Sequence, residues 1–274
     1  MNLLSKIRHL GKRLLLGLGF YKYPDFIIIG AQKAGTTYLY SLLRQHPQII
    51  EPVNKEAHFF DYDFNYRKGR FRYKLNFNLS FRFNNGQKTF EATPDYISHK
   101  ETPKRIKQLL PTVKIIVLLR EPISRAYSGW KMHHYAFKEK EKYKWLHDPR
   151  KFEDVVEKAI SERDDWHTMN HVGKGLYGQQ IENFLKYFDK EQMLFLYQKD
   201  LKENTQITFN KVAAFVGINA MSISEINKKD TRFWSNKSER PDLKVNDNLK
   251  QKLESFYKND KEKLKQLIGK DLPW

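Results

Sequence analysis

Lys33 lies inside a loop bracketed by two glycines, Gly30-Ala-Gln-Lys-Ala-Gly35, and Thr36 and Thr37 follow directly. A loop of this kind, set between an apolar run and helix-compatible sequence, turns successive backbone N–H groups toward an anion, and the helix N-terminus adds partial positive charge. Lys33 supplies a full charge, and the two threonine hydroxyls add donors. The pattern approaches the G-x-x-x-x-G-K-[ST] loop of nucleoside triphosphatases, but Thr36 stands where that loop has its lysine. The second candidate is Arg120, which closes the apolar run 113–119, where a triphosphatase usually keeps an aspartate for Mg²⁺. An arginine there suits a phosphate and cannot hold a metal. Ser128, on the helix-like stretch that follows, can bond the same phosphate. Two anion pockets without a metal ligand describe a nucleotide with phosphate at both ends. The plainer readings are an ordinary strand-to-helix turn for the loop, and for Arg120 a surface ion pair with Glu121 or a nearby carboxylate.

The elements that must hold these residues are legible from periodicity. Residues 25–30 read as a buried strand bounded by Pro24 and Gly30, and 37–45 as a helix stopped near Pro47. Strands are expected at 88–92 and 113–119, and helices at 103–110 and from Ile123. Further on, 152–161 reads as a helix, 175–188 as amphipathic, MLFLYQKDL (193–201) as strand-like, ITFNKVAAFVGI (207–218) as a helix ending at Gly217, and 244–268 as a lysine-rich helix. Alternating strands and helices predict an α/β, P-loop-like three-layer fold with a central parallel sheet flanked by helices. The interval 138–170, with Lys138, Lys140, Lys142, Lys144, Trp145 and His147, reads as an excursion suited either to an acceptor-binding lid or to a solvated charged face.

Composition narrows the partner. With 50 Lys and Arg against 32 Asp and Glu the formal charge is +18, which favours capture of anionic ligands. A hydrophobic content of 40% with 14% aromatics is that of a folded body. There is no cysteine, which removes disulfides, thiolate metal sites and thiol nucleophiles from consideration. No apolar run approaches the ~20 residues of a membrane span. Residues 1–23 form a basic amphipathic arm, with Leu3, Ile7, Leu10 and Leu14 at helical spacing among Lys6, Arg8, Lys12 and Arg13. Two readings of it stand: an in-plane membrane helix, or an arm packed on the protein's own surface. Residues 24–274 are expected to form one domain.

GAQKAGTT after FIII, with LLREPISRAYSGW at 118–130, resembles the paired nucleotide motifs of the sulfotransferases that use 3′-phosphoadenosine 5′-phosphosulfate (PAPS). The resemblance extends through KEAHFFD (55–61), FEATPDY (90–96), GLYGQQIENFLKYF (175–188) and FYKNDKEKLKQLIG (256–269), and is closest to the heparan sulfate and related glycan branch. It implies that Lys33, Ala34, Gly35, Thr36 and Thr37 cradle the 5′-phosphosulfate and that Arg120 and Ser128 take the 3′-phosphate. Lys33 would be the electrophilic catalyst, with no metal required. Glu91 would be the base that deprotonates the acceptor, with His58 the rival, since imidazole is matched to neutral pH. Lys55 would touch the transferring group or the acceptor, and Asp95 would orient substrate. NKSERPDL (236–243) stands where the glycan enzymes close a basic loop over the nucleotide, so Lys237 and Arg240 match, although the glycine and histidine often found there are missing.

The expected activity is transfer of the sulfuryl group from PAPS to a hydroxyl or amine of an anionic or neutral glycan, or of another hydroxyl-bearing acceptor. The expected setting is cytoplasmic, with peripheral membrane contact through residues 1–20 and no specific nucleic acid. The alternatives are a P-loop kinase, which predicts dependence on ATP and Mg²⁺, and a basic nucleic-acid-binding protein, which predicts strong salt dependence. Neither accounts for Lys33 and Arg120 together.

Overall fold

The computed structural model describes residues 3–80, 84, 86–162, 169–226 and 246–274. After helix α1 (Leu3–Gly17), the chain enters strand β1 (Phe26–Gly30), every residue of which is buried. Four apolar residues in a row with no polar alternation suit a strand covered on both faces. β1 is the central strand of a five-stranded parallel sheet in the order β2-β3-β1-β4-β5. Its partners are β3 (Lys88–Ala92), with Ile27 opposite Glu91, and β4 (Lys114–Leu119), with Gly30 opposite Val117. β2 (Ile49–Ile50) forms one edge on β3, and β5 (Met193–Tyr197) the other on β4.

The helices are α2 (Thr36–Leu43), α3 (Asp63–Tyr66), α4 (Gly69–Lys74), α5 (Thr102–Leu109), α6 (Pro122–Lys131), α7 (Phe152–Ser161), α8 (Tyr177–Leu185), α9 (Gln198–Glu203), α10 (Thr205–Val216) and α11 (Asp247–Ile268). The chain runs from β1 out to β2 and β3 on one side, then crosses to β4 on the other. The sheet therefore has its topological switch between β1 and β4, where open α/β sheets leave a crevice at the carboxyl ends of the strands. The core gathers around the sheet, and a second buried cluster joins Trp130 of α6, Val156 of α7 and Leu253 and Tyr257 of α11.

The expected α/β architecture is present, with three local differences. MLFLYQKDL is strand only to Tyr197; its remainder turns into α9, which buries Leu201. The two-residue edge β2 was not foreseen, being too short for alternation to register. Nor was the π-helical turn Met132–Ala136 that continues α6, because nothing in local spacing distinguishes an i→i+5 turn from ordinary helix. In the interval 138–170, α7 is no free flap: Phe152, Val155, Val156 and Ala159 are buried in the second cluster. Before α7, residues 138–141, Lys144 and Trp145 are exposed.

Candidate active site

The loop leaving β1 is tied to its surroundings through the backbone. Gly30 packs against the turn after β3 so closely that a Cβ there would come within 2.8 Å of the Pro94 carbonyl. Lys33 stands at φ 69°, in the left-handed region that side-chain-bearing residues avoid at a cost of about 1–3 kcal/mol. Gly35 occupies the N-cap of α2 at φ 98° and provides no side chain to cap it. The first N–H groups of a helix have no partners within it, so α2 opens onto the crevice with donors and positive partial charge. Ala34 is fully buried, which fixes the loop from below.

The predicted anion ligands converge here. Arg120, just past the end of β4, donates from Nη1 to the Lys33 carbonyl at 3.1 Å. Burial pulls the Arg120 pKa below its ordinary value. The ion pair with Glu121 does not form, because that carboxylate caps α6 by accepting from Ile123 N (2.9 Å) and Ser124 N (2.6 Å). Lys33 Nζ lies 3.7 Å from Met132 Sδ on the π turn. Lys55 reaches the same loop and donates to Thr37 Oγ1 at 2.8 Å and to Glu56 at 2.9 Å. Glu56 and His58 also have positive φ, at 59° and 45°, so two strained segments meet at this point. Ser128 is half-buried on α6 beside Gly129. Lys237 and Arg240 lie outside the described residues.

The two candidate bases sit in different surroundings. Glu91 is 1% exposed. Tyr73 donates its hydroxyl to Glu91 Oε2, and Thr93 Oγ1 donates to Oε1 at 2.9 Å. Burial pushes the Glu91 pKa up to about 7, against hydrogen bonds that work to lower it. The His58 side chain is 24% exposed, with Nδ1 2.7 Å from Asp61. Burial alone would depress the imidazole, but the hydrogen bond and charge of Asp61 outweigh it and the pKa is raised.

Asp95 forms an ion pair with Lys174 at 2.7 Å and accepts a long bond from Gln32 Nε2 at 3.5 Å. Burial would raise its pKa, yet the charge and hydrogen bond of Lys174 hold it below the usual carboxylate value. Sequence reading missed Lys174 and everything behind it. Asp148, bonded to His171 (3.1 Å) and Arg150 (2.7 Å), is 2% exposed, and His133 of the π turn reaches the Leu146 carbonyl at 2.8 Å. Burial pulls the His171 pKa down to about 4, so this imidazole is neutral at neutral pH. Arg125 is fully buried, and its Nε and Nη1 find no partner among the described residues. A Cβ on Gly129 would stand 3.5 Å from Arg125 Nη1 and 3.9 Å from Gln32 Oε1, itself unpartnered. The one available signal was the position of Arg125 inside LLREPISRAYSGW, three residues before Ser128 and so on the same face of α6.

A strand-end loop with an exposed helix N-terminus, a lysine and a facing arginine can grip two anionic groups, and a carboxyl titrating near neutrality lies on the adjacent strand. Residues 23–269 match the family model of the sulfotransferase domain. The chain belongs to the sulfotransferase family. The match supports neither the kinase nor the nucleic-acid reading. This sulfotransferase is 29% identical over 291 residues to mouse heparan sulfate glucosamine 3-O-sulfotransferase 6, an alignment covering 98% of this chain and 79% of that one. It is 31% identical over 205 residues to mouse bifunctional heparan sulfate N-deacetylase/N-sulfotransferase 4, covering 71% of this chain and 22% of the relative. The structure of a sulfotransferase from Alicyclobacillus acidocaldarius superimposes with a TM-score of 0.67 at 23% identity, covering 92% of this chain and 98% of that one, so the fold is shared.

Proposed function

We propose that this sulfotransferase moves the sulfuryl group of PAPS to a hydroxyl or amine on a glycan. The single observation that carries the reading is the bond from Arg120 to the Lys33 carbonyl, which places a cation at the end of β4 against the loop at the end of β1. The residues fit the donor: a loop with an uncapped helix N-terminus for one anionic end, and Arg120 and Ser128 for the other. When bound, PAPS supplies an activated sulfuryl group on a phosphate leaving group.

Lys33, with the N–H groups of Gly35, Thr36 and Thr37, stabilises the charge that develops on the leaving phosphate, an electrostatic role worth a factor of about 10²–10³ per donor in comparable sites. Lys55, held at Thr37, adds a second cation beside the transferred group. Glu91 takes the acceptor proton: a base is most effective with a pKa near working pH, and burial sets this carboxyl at about 7. A second reading rests on accessibility, since His58 is the more open of the two and is oriented by Asp61. The pH–rate profiles of Glu91→Gln and His58→Asn distinguish them: the variant lacking the base loses the limb that rises through neutrality. Asp95, paired to Lys174, orients the acceptor. The glycan branch is favoured by the named relatives and by the net charge of +18, which suits an anionic chain.

The experiment is calorimetric titration with adenosine 3′,5′-bisphosphate, 5′-AMP, and ATP with Mg²⁺, on the wild type and on Lys33→Ala and Arg120→Ala. Tight binding of the bisphosphate that weakens in both variants is expected. Better binding of ATP with Mg²⁺, or of no nucleotide, overturns the proposal.

A further inference from the structure

The outward face of α1 is apolar, although the helix is already seated by its other face. Leu16 is fully buried, Lys12 donates to the Leu75 carbonyl at 3.1 Å, and the Arg13 guanidinium lies 5.7 Å from the centre of the Phe71 ring. These contacts fix α1 on α4. Leu10, Leu14 and Leu18 recur every four residues, and Leu18 N bonds the Leu14 carbonyl, so the helical path continues through all three. They are 70%, 66% and 66% exposed. At about 100° per residue, Leu16 falls on the side of the helix opposite this stripe. Of the two sequence readings, packing on the body accounts for Leu16 and leaves the leucine stripe facing water.

The surroundings of the stripe are basic. No acidic residue occurs before Asp25, and the segment carries Lys6, Arg8, Lys12 and Arg13. The neighbouring α3–α4 segment adds Arg67, Lys68, Arg70 and Arg72, all exposed. Its acid, Asp63, is paired with Arg105 and Arg67. We propose that α1 and the α3–α4 basic band together form a docking surface for an anionic lipid bilayer, with α1 lying in the interface and its leucines in the acyl boundary. No described helix is long and apolar enough to cross a membrane, so the contact is in-plane. An apolar helix face with basic residues around it binds such surfaces through buried apolar area plus attraction to anionic headgroups. A polyanionic glycan or nucleic acid would engage the arginines and leave the leucines in water. A second copy of the chain, meeting face to face, would set one basic band against the other.

The test is flotation of the full chain with phosphatidylcholine vesicles, with and without phosphatidylglycerol. The variants are Leu10→Gln/Leu14→Gln/Leu18→Gln and, separately, Arg70→Glu/Arg72→Glu, each checked by circular dichroism. The wild type should float with the anionic vesicles, and each variant should bind them at least about tenfold more weakly while keeping its transfer rate toward a soluble acceptor. Failure of the wild type to float, equal binding to neutral and anionic vesicles, or wild-type binding by the leucine variant overturns the proposal. So does sedimentation showing that the leucine substitutions dissociate a dimer without changing vesicle binding. Neither result bears on the nucleotide titration, so this surface and the transfer reaction stand or fall separately.

Discussion

Two polar centres meet at the turn 93–98, and they are held in opposite ways. The loop 30–37 is contiguous in sequence and is fixed by backbone: the end of a buried strand, three positive-φ positions, the start of a helix. The cluster around Asp95 is assembled from distant segments, with Lys174, His133, Asp148 and His171 joined through side chains. In the first, a side chain can be removed without disturbing what positions it. In the second, each side chain is part of what holds the others, and a deletion leaves a buried charge or donor unpaired. Function and stability should therefore separate at the loop and fall together at the cluster.

The largest expected effect tests the first half of that contrast. Lys33→Ala should lower kcat for sulfuryl transfer by about 10²–10³ and leave the unfolding free energy within about 0.5 kcal/mol of wild type. Truncating Lys33 to alanine keeps a Cβ at φ 69°, so the strain is unchanged. A kcat loss accompanied by a large loss of stability would show that the loop is not backbone-held, and the contrast would fail.

Glu91 comes next, because its environment predicts a dependence with an unusual sign. Its folded pKa lies above the ordinary value of 4.5, at about 7. Between those pH values the folded chain holds a proton that the unfolded chain has released. Stability then falls as pH rises through this window, by up to about 1.4 kcal/mol per pH unit, and by on the order of 3 kcal/mol in all. Glu91→Gln, which cannot titrate, should remove that slope and be the more stable protein above neutrality. Denaturant unfolding of both proteins across the window reads the difference directly, and parallel curves would mean that the carboxyl is not held protonated.

Lys174→Met probes the cluster. Asp95 keeps partial access to solvent, its side chain being 23% exposed, so the unpaired carboxylate is not sealed from water. A loss of about 2 kcal/mol is expected, together with a raised KM for the acceptor and unchanged affinity for the bisphosphate. An unchanged KM would remove Asp95 from the acceptor side of the site.

The same contrast explains what the sequence made legible. FIIIG with its glycine loop, and KIIVLL with its arginine, are local patterns whose meaning is set within a few residues, and they appear in the structure as β1 and β4 with Lys33 and Arg120 adjacent. The strand order follows less directly, but short connections and right-handed crossovers leave few choices. Lys174, His171 and Asp148 gave no signal because each is unremarkable among its sequence neighbours. Their pairing depends on how the π turn and the 169–174 segment fold against each other. Glu91 was legible as a residue on a strand, while its burial beneath Tyr73 was not, since Tyr73 arrives from α4. For Arg120 the error of the plainer reading was physical: Glu121 follows it directly, but a residue at the N-cap of α6 is drawn to that helix's amides rather than to its neighbour.

The smallest expected effect concerns the part of the excursion that neither centre holds. Trp145 is 70% exposed on the short turn Glu141–Leu146, and the next residues are anchored beside the site through His133 to the Leu146 carbonyl. An exposed indole spends little on stability, so Trp145→Ala should leave the unfolding curve unchanged. If the indole stacks on a sugar ring of the acceptor, its loss should raise the acceptor KM by a few-fold, matching the roughly 1 kcal/mol that an exposed aromatic contact contributes, with kcat and bisphosphate binding unaltered. Trp145→Phe should recover most of the affinity, because the phenyl face can still stack. A KM that follows the surrounding charge alone, rising with salt equally for wild type and Trp145→Ala, would assign the segment to electrostatic capture and leave Lys144 and its neighbours, rather than the ring, as its contribution.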